Sequence, residues 1–430
     1  MNGTDLPLLR TSLPGPGSRA WVDRLARTEC PAITARRARR AAALGVADDD
    51  PVVWRSALGA NVEDVDGNVF VDLTAGFGVA AAGHRNPAVV AALHAQADVL
   101  LHAMGDAFPD PRRIELLERL VGLTGLDKVI LGSSGSDAVE AALKTARVAT
   151  GRDGVLAFDR SYHGLPYGVL AAGDYKAEAF REPFAGQLGP HVQHAPFGGE
   201  LPTAAWLRAR GVGAVLVEPI QGRGGVRVPP AGWLARLRAL CDEAGAVLIF
   251  DEIYTGFGRT GGWFRFQAVG VRPDLLCIGK GMAGGFPISA CLGTAAVMDA
   301  WGASHGEALH TQTFLGNPLG CAMALASIGA LEGMIPGVLP RSAWLRGELV
   351  QRGLPVRGEG LLLGIALPDG PDALLTSREL LHKGFLVLPA GESRAGDDPR
   401  QAVVLALTPP LCITRPQLQA FLDALDEVRS

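Results

Sequence analysis

Lys128-Val129-Ile130-Leu131-Gly132-Ser133-Ser134-Gly135-Ser136-Asp137 starts as a short apolar run, breaks at a glycine, and leads through small hydroxyl residues into a helical pattern that extends to Thr150. A strand passing into a helix through so tight a turn is half of a βα unit. The pattern recurs downstream, where apolar strands at Gly154 to Asp159, Ala214 to Glu218 and Val247 to Asp251 alternate with helical stretches such as Ala231 to Ala244. Such alternation predicts an α/β fold with a mostly parallel central sheet covered on both faces. Ligands of such sheets sit beyond the carboxyl ends of the strands.

Beyond a helix predicted at Pro318 to Leu331 the alternation stops. A helix near Arg341 to Arg352, strands at Leu361 to Ala366, Phe385 to Leu388 and Val403 to Leu407, and a helix from Arg415 to Val428 predict a small α+β domain. Upstream, Asn61 to Leu73 reads as a hairpin turning at Asp66-Gly67-Asn68 and central to neither sheet. The expected division is an N-terminal arm with part of the small domain in residues 1–85, a large domain in 86–330, and the rest of the small domain in 331–430.

The 430 residues, 48% of them hydrophobic, suffice for a large core. A formal net charge of -4, with no basic tract beyond Arg36-Arg37 and Arg39-Arg40, argues against nucleic acid or an anionic membrane as the main partner. Those two pairs read as a solvated helix face. No apolar stretch is expected to reach transmembrane length, and Met1 to Gly17 lacks the apolar core of a signal peptide, so a cytoplasmic location is expected. The six cysteines show no metal-ligand spacing and read as reduced and mostly packing residues, and no metal site is expected.

Lys280 closes the apolar run Leu275-Leu276-Cys277-Ile278-Gly279, in a chain with five lysines against thirty-five arginines. An amine at the end of a buried strand is partly desolvated, which lowers its pKa and leaves it nucleophilic toward a carbonyl. The alternative is a lysine snorkelling out of the strand end. The Gly132 to Asp137 turn aims hydroxyls and free amides at one spot, which suits a phosphate or simply caps the helix. Asp251 ends its strand where a carboxylate wants a cationic partner, for instance a protonated pyridine nitrogen, or else it caps a turn. In Tyr162-His163-Gly164 the ring either stacks on a planar group or only packs, and the segment Thr311 to Pro318 offers a second phosphate contact. Taken together, amine, phosphate cradle, strand-end carboxylate and aromatic plate are the parts that pyridoxal phosphate requires.

The ordered motifs Ser134-Gly135-Ser136, Tyr162-His163-Gly164, Glu218-Pro219-Ile220-Gln221-Gly222, Asp251-Glu252-Ile253-Tyr254-Thr255-Gly256-Phe257-Gly258-Arg259-Thr260-Gly261, Gly279-Lys280 and Thr313-Phe314-Leu315-Gly316-Asn317-Pro318 resemble the class III aminotransferases of fold type I, from about Asn61 to the C-terminus. The resemblance implies that Lys280 forms the imine with the cofactor and shuttles the proton, and that Asp251 partners the pyridinium nitrogen. It places the phosphate on Ser134, Gly135 and Ser136, the ring between Tyr162 and Ile253, and His163, Glu218 and Tyr254 around it. It also implies a homodimer with shared active sites, in which Thr313 reaches the phosphate of the neighbouring subunit. Small-molecule amine and oxo substrates and ping-pong kinetics follow from the same resemblance.

Departures from the family pattern concentrate on the substrate side, where the resemblance places Phe77, Leu165, Arg223 and Ala406. An arginine that often holds an α-carboxylate three residues before Pro-Pro is Ala406 here, and the glutamate that pairs with it is Arg223. Leu165 stands where members acting on γ-aminobutyrate carry an arginine, and Tyr254 where a glutamine usually bonds the cofactor's ring hydroxyl. The phenol either takes over that bond or the bond is lost. These exchanges predict an amino-acid donor and an acceptor without the usual α-carboxylate, an aldehyde or ketone of an amine, polyol or amino sugar. Arg223 is then either the donor's carboxylate clamp or a loop arginine. The motifs are also similar to amino-sugar aminotransferases of antibiotic pathways. An isomerase, epimerase or aminomutase using the same machinery, or a catalytically inactive protein of this fold, are the competing expectations.

Overall fold

The computed structural model describes residues 1–31, 41–42, 45, 51–302, 308–369, 372–398 and 402–430, so the arginine pairs at 36–37 and 39–40 lie outside the described residues. Its central sheet has seven strands in the order Lys128–Gly132, Ser289–Gly293, Leu275–Ile278, Val247–Asp251, Val212–Val217, Gly154–Phe158 and Val192–Ala195. Ser289–Gly293 runs antiparallel to both neighbours, and the other pairs are parallel.

Because side chains alternate across a strand, the continuous apolar runs feed two cores at once. Leu248, Phe250, Leu276 and Ile278 join the cluster that includes Trp233, Leu237 and Cys241 of the helix Trp233–Ala244. Ile249, Leu275 and Cys277 join Ala138, Val139 and Ala142 of the helix Gly135–Thr150. The buried face of that second helix is made of Ala, Val and Thr, short enough for its axis to lie close on the sheet. Its start is fixed by a capping box, in which Ser134 Oγ accepts from the Asp137 amide at 3.2 Å and Asp137 accepts from the Ser134 amide at 2.9 Å.

Two four-stranded sheets accompany the large one. Val356–Glu359, Leu362–Ile365, Val403–Leu407 and Leu388–Gly391 form one, and Trp54–Leu58, Asn61–Asp64, Val69–Asp72 and Phe385–Leu386 form the other. The expected hairpin is present, but its strands are the two inner members of a sheet of their own. The single strand expected at Phe385 to Leu388 is two strands in two sheets. Leu386 pairs in parallel with Asp72, and Leu388 pairs antiparallel with Ala406. Its apolar run looks continuous because the crossing residue, Val387, is itself buried. Pro389 is tolerated because Leu388–Gly391 is an edge strand.

The hairpin turn is held by Asp64, which accepts from the Asp66 amide at 2.9 Å and the Asn68 amide at 2.8 Å. Asp66 in turn accepts from the amides of Gly17 and Ser18 at 2.6 and 2.8 Å and ties down the N-terminal arm.

Contrary to expectation, one helical stretch among the described residues, Pro318–Gln351, is long and apolar enough to cross a membrane by length and composition. It is broken at Ile335–Gly337, and Cys321, Ala324, Ile328 and Leu331 of its first half are buried in the core. Apolarity all round this helix reflects burial on several sides.

Candidate active site

Strand register brings the chemistry together. Asp251, the last residue of its strand, pairs with Cys277 on the next, so Lys280 follows just past the same sheet edge. Lys280 holds a left-handed backbone, φ 41°, a conformation that costs a non-glycine residue about 1–3 kcal/mol and clusters at functional sites. Burial of its amine pulls the pKa down to about 8, against the carboxylates of Asp251 and Glu218 and with help from Arg223.

Asp251 is 5% exposed and His163 3% exposed, with Asp251 Oδ2 at 2.7 Å from His163 Nδ1. The other Asp251 oxygen accepts from the Ile253 amide at 3.1 Å, which fixes the carboxylate at the strand mouth. Burial lowers the His163 pKa, but the bond and charge of Asp251, with Glu218 behind, outweigh it and raise the imidazole above its ordinary value. Glu218 accepts from the amides of Tyr162 and Gly222 at 3.0 and 3.1 Å and so seats both loops. Burial, the His163 charge that opposes it and the Asp251 charge that adds to it leave Glu218 at about 7.

Around this pair the loops close by omitting side chains. A Cβ on Gly135 would come within 2.8 Å of Ile253 Cδ1, and one on Gly164 (φ 119°) would overlap Ser136 Oγ. The turn before the helix, the Tyr162 loop and the Asp251 loop therefore touch. Ser134 caps the helix, and the first helical amides, with no carbonyl four residues back, remain available to an anion.

Arg223 lies at 5.1, 5.6 and 5.9 Å from the ring centres of Tyr162, Tyr175 and Phe77. Its loop is pinned through its carbonyl, which accepts from the Gly391 amide at 2.9 Å. Tyr175, a lone aromatic outside every motif, carries no signal in the sequence. Tyr254 packs against the cluster of Ile220, Val226, Leu362 and Ala406, and its hydroxyl is 3.3 Å from Thr408 Oγ1. Ala406 is buried there, whereas Leu165 and Thr313 are exposed.

Such a donor set suits a planar aldehyde with an anionic tail and a basic ring nitrogen. The amine could meet the aldehyde, the buried carboxylate the ring nitrogen, and the helix start the phosphate. Fold and site together define a pyridoxal-phosphate-dependent transferase of fold type I. Within that class the model of the aminotransferase class-III family matches residues 45–428, and the chain belongs to that family. It is 36% identical over 383 residues to an acetylornithine aminotransferase of Methanosarcina mazei, covering 88% of this chain and 91% of the relative. A putrescine aminotransferase of Pectobacterium atrosepticum is 36% identical over 405 residues, covering 89% and 83%. Among solved structures, an ornithine aminotransferase from Toxoplasma gondii superposes with a TM-score of 0.81 at 28% identity, covering 97% of this chain and 96% of that one. An amine transaminase from an uncultivated Pseudomonas species in its PLP-bound form gives 0.77 at 30% identity, covering 89% and 95%.

Proposed function

We propose that this aminotransferase takes its amino group from an amino-acid donor held through its carboxylate by Arg223. The group passes to an aldehyde or ketone of a substrate without the usual α-carboxylate, such as an amine, a polyol or an amino sugar. The carrying observation is the Arg223 guanidinium. It is ringed by aromatic faces and has no carboxylate in salt-bridge reach among the described residues, while position 406 supplies only a buried methyl group. A planar fork of donors suits bidentate contact with a carboxylate. Relatives named for acetylornithine and for putrescine, an amino acid derivative and a diamine, support the two halves of this reading.

Arg223→Gln is expected to raise KM for amino-acid donors roughly ten- to a hundredfold, the worth of a charged hydrogen bond. Amines without a carboxylate should keep their rates. Formation of the pyridoxamine form from donor alone, with one oxo product released per site, is the measurement. Equal losses for both donor types would make Arg223 structural, and no net transfer at all would favour an isomerase.

Bound pyridoxal phosphate supplies the aldehyde and the electron sink for the electrons of the broken Cα-H bond. Asp251 would hold the ring nitrogen's proton, with His163 fixing the carboxylate from behind. Gly135 and Ser136, at the start of a helix already capped by Ser134, would hold the phosphate. Tyr162 and Ile253 would flank the ring, and Lys280 would take and return the substrate proton, its amine having a pKa brought down to about 8 and so giving up a proton far more readily than an ordinary lysine. Residues 86–330 supply these groups, and residues 1–85 and 331–430 cover the substrate side.

The homodimer belongs to the same reading. Leu101, Met104, Phe108, Leu309 and Phe314 are apolar and exposed. Their segments are joined by the bond from Asn317 to the Leu101 carbonyl at 3.0 Å and by the His102–Phe314 ring contact. That face carries Thr313 and suits a second copy. Sedimentation should give twice the chain mass, and Phe314→Asp should shift it toward one chain. A monomeric parent protein that is fully active would refute the shared site.

A further inference from the structure

Tyr254 lies in a slot that the chain makes for it. A Cβ on Gly222 would overlap one edge of its ring, and one on Gly78 (φ 84°) would come within 2.7 Å of Cε2 on the other. Its hydroxyl end is held by Thr408, whose own hydroxyl donates to the Thr74 carbonyl at 3.1 Å. The ring is thus fixed at both edges and at its tip, with one face turned to Lys280, whose Nζ is 4.1 Å from the ring centre.

We infer that the face of Tyr254 is the seat of the Lys280 ammonium, the place where the amine rests whenever it carries a proton and is not bonded to cofactor. An aromatic face attracts a cation through its quadrupole, most strongly where water is scarce. Asp251 and Glu218 favour the same charged form, and Arg223 opposes it. Burial drives the phenol of Tyr254 above its ordinary pKa, so it stays uncharged and acts through its face. Tyr254 is a positioning residue for Lys280. Its hydroxyl serves to aim the ring.

The lysine-poor composition makes the test direct. Apoprotein labelled with 13C at lysine has five side-chain signals to titrate, and the one absent from Lys280→Ala is Lys280. Tyr254→Phe keeps the face and should leave the Lys280 midpoint within a few tenths of a pH unit of the parent. Tyr254→Leu removes it and should lower the midpoint by about 0.4 to 1.5 pH units, the range set by cation–π strengths. Should the leucine variant fold poorly, progressively fluorinated phenylalanines at 254 drain the ring face at constant shape, and the midpoint should fall with each fluorine. An unchanged midpoint in Tyr254→Leu or along the fluorinated series overturns the proposal. So does a fall in Tyr254→Phe equal to that in Tyr254→Leu. The measurement needs no turnover, so its failure leaves the reading of Arg223 untouched.

Discussion

Lys280→Ala should lose turnover by about a thousandfold or more while still binding pyridoxal phosphate, because proton transfer by a positioned base is worth about 10²–10⁴ and covalent capture of the cofactor is lost with it. The other four lysines have partners of their own. Lys128 is paired with Asp299, Lys144 with Glu140 and Lys383 with Glu427, and Lys176 lies over the Tyr175 ring. Binding is checked by equilibrium dialysis and by the cofactor's absorbance, and turnover by single-turnover assay. A small primary amine added to the buffer should restore part of the rate, since the cavity left by the side chain is flanked by the same Asp251 and Glu218 charges. A variant as fast as the parent would refute the role of Lys280.

Asp251→Asn is expected to cost about 10²–10⁴ in rate, as the ring nitrogen would no longer meet a full negative charge. It should also change stability in a pH-dependent way. His163 has a folded pKa above its unfolded value, so the stabilisation from the pair is complete below about pH 6.5 and fades as pH rises through the raised folded value. Losing the carboxylate leaves burial to drive His163 neutral, so the deficit against the parent should be largest in acid and shrink in alkali. Thermal melts at pH 6 and pH 9 measure it. A deficit that does not shrink with pH would mean that His163 is neutral in the parent fold.

The strand ends were legible because a parallel sheet buried on both faces writes its strands as unbroken apolar runs, and the polar residue that stops each run marks the ligand side. Val247–Asp251 is legible to the residue for that reason. The crossing at Val387 was not legible, since an apolar residue between two sheets looks like one within a strand. Motif order supplied Lys280, Asp251 and Tyr162 but could not show that His163 backs the carboxylate. Nor could it show that Tyr175 completes the ring around Arg223, because both depend on contacts between distant loops. The Tyr254 exchange was visible as a departure. Its partners, Gly78 and Gly222, lie far apart in the chain, and only the fold brings them to the two edges of one ring.

The parallel pairing of Leu386 with Asp72 has a bearing on how the chain is made. The Asn61 to Asp72 hairpin lacks its fourth strand until the C-terminal region exists. Gln417 then closes the same body by donating to the carbonyl of Asp5, 412 positions away. On a ribosome, the early segment must wait with an open edge until Phe385–Leu386 has emerged, so this sheet closes after the strands of the central sheet have been made. Removing the last helix, Arg415–Arg429, would keep the Leu386–Asp72 pairing and take away the Gln417 bond to Asp5.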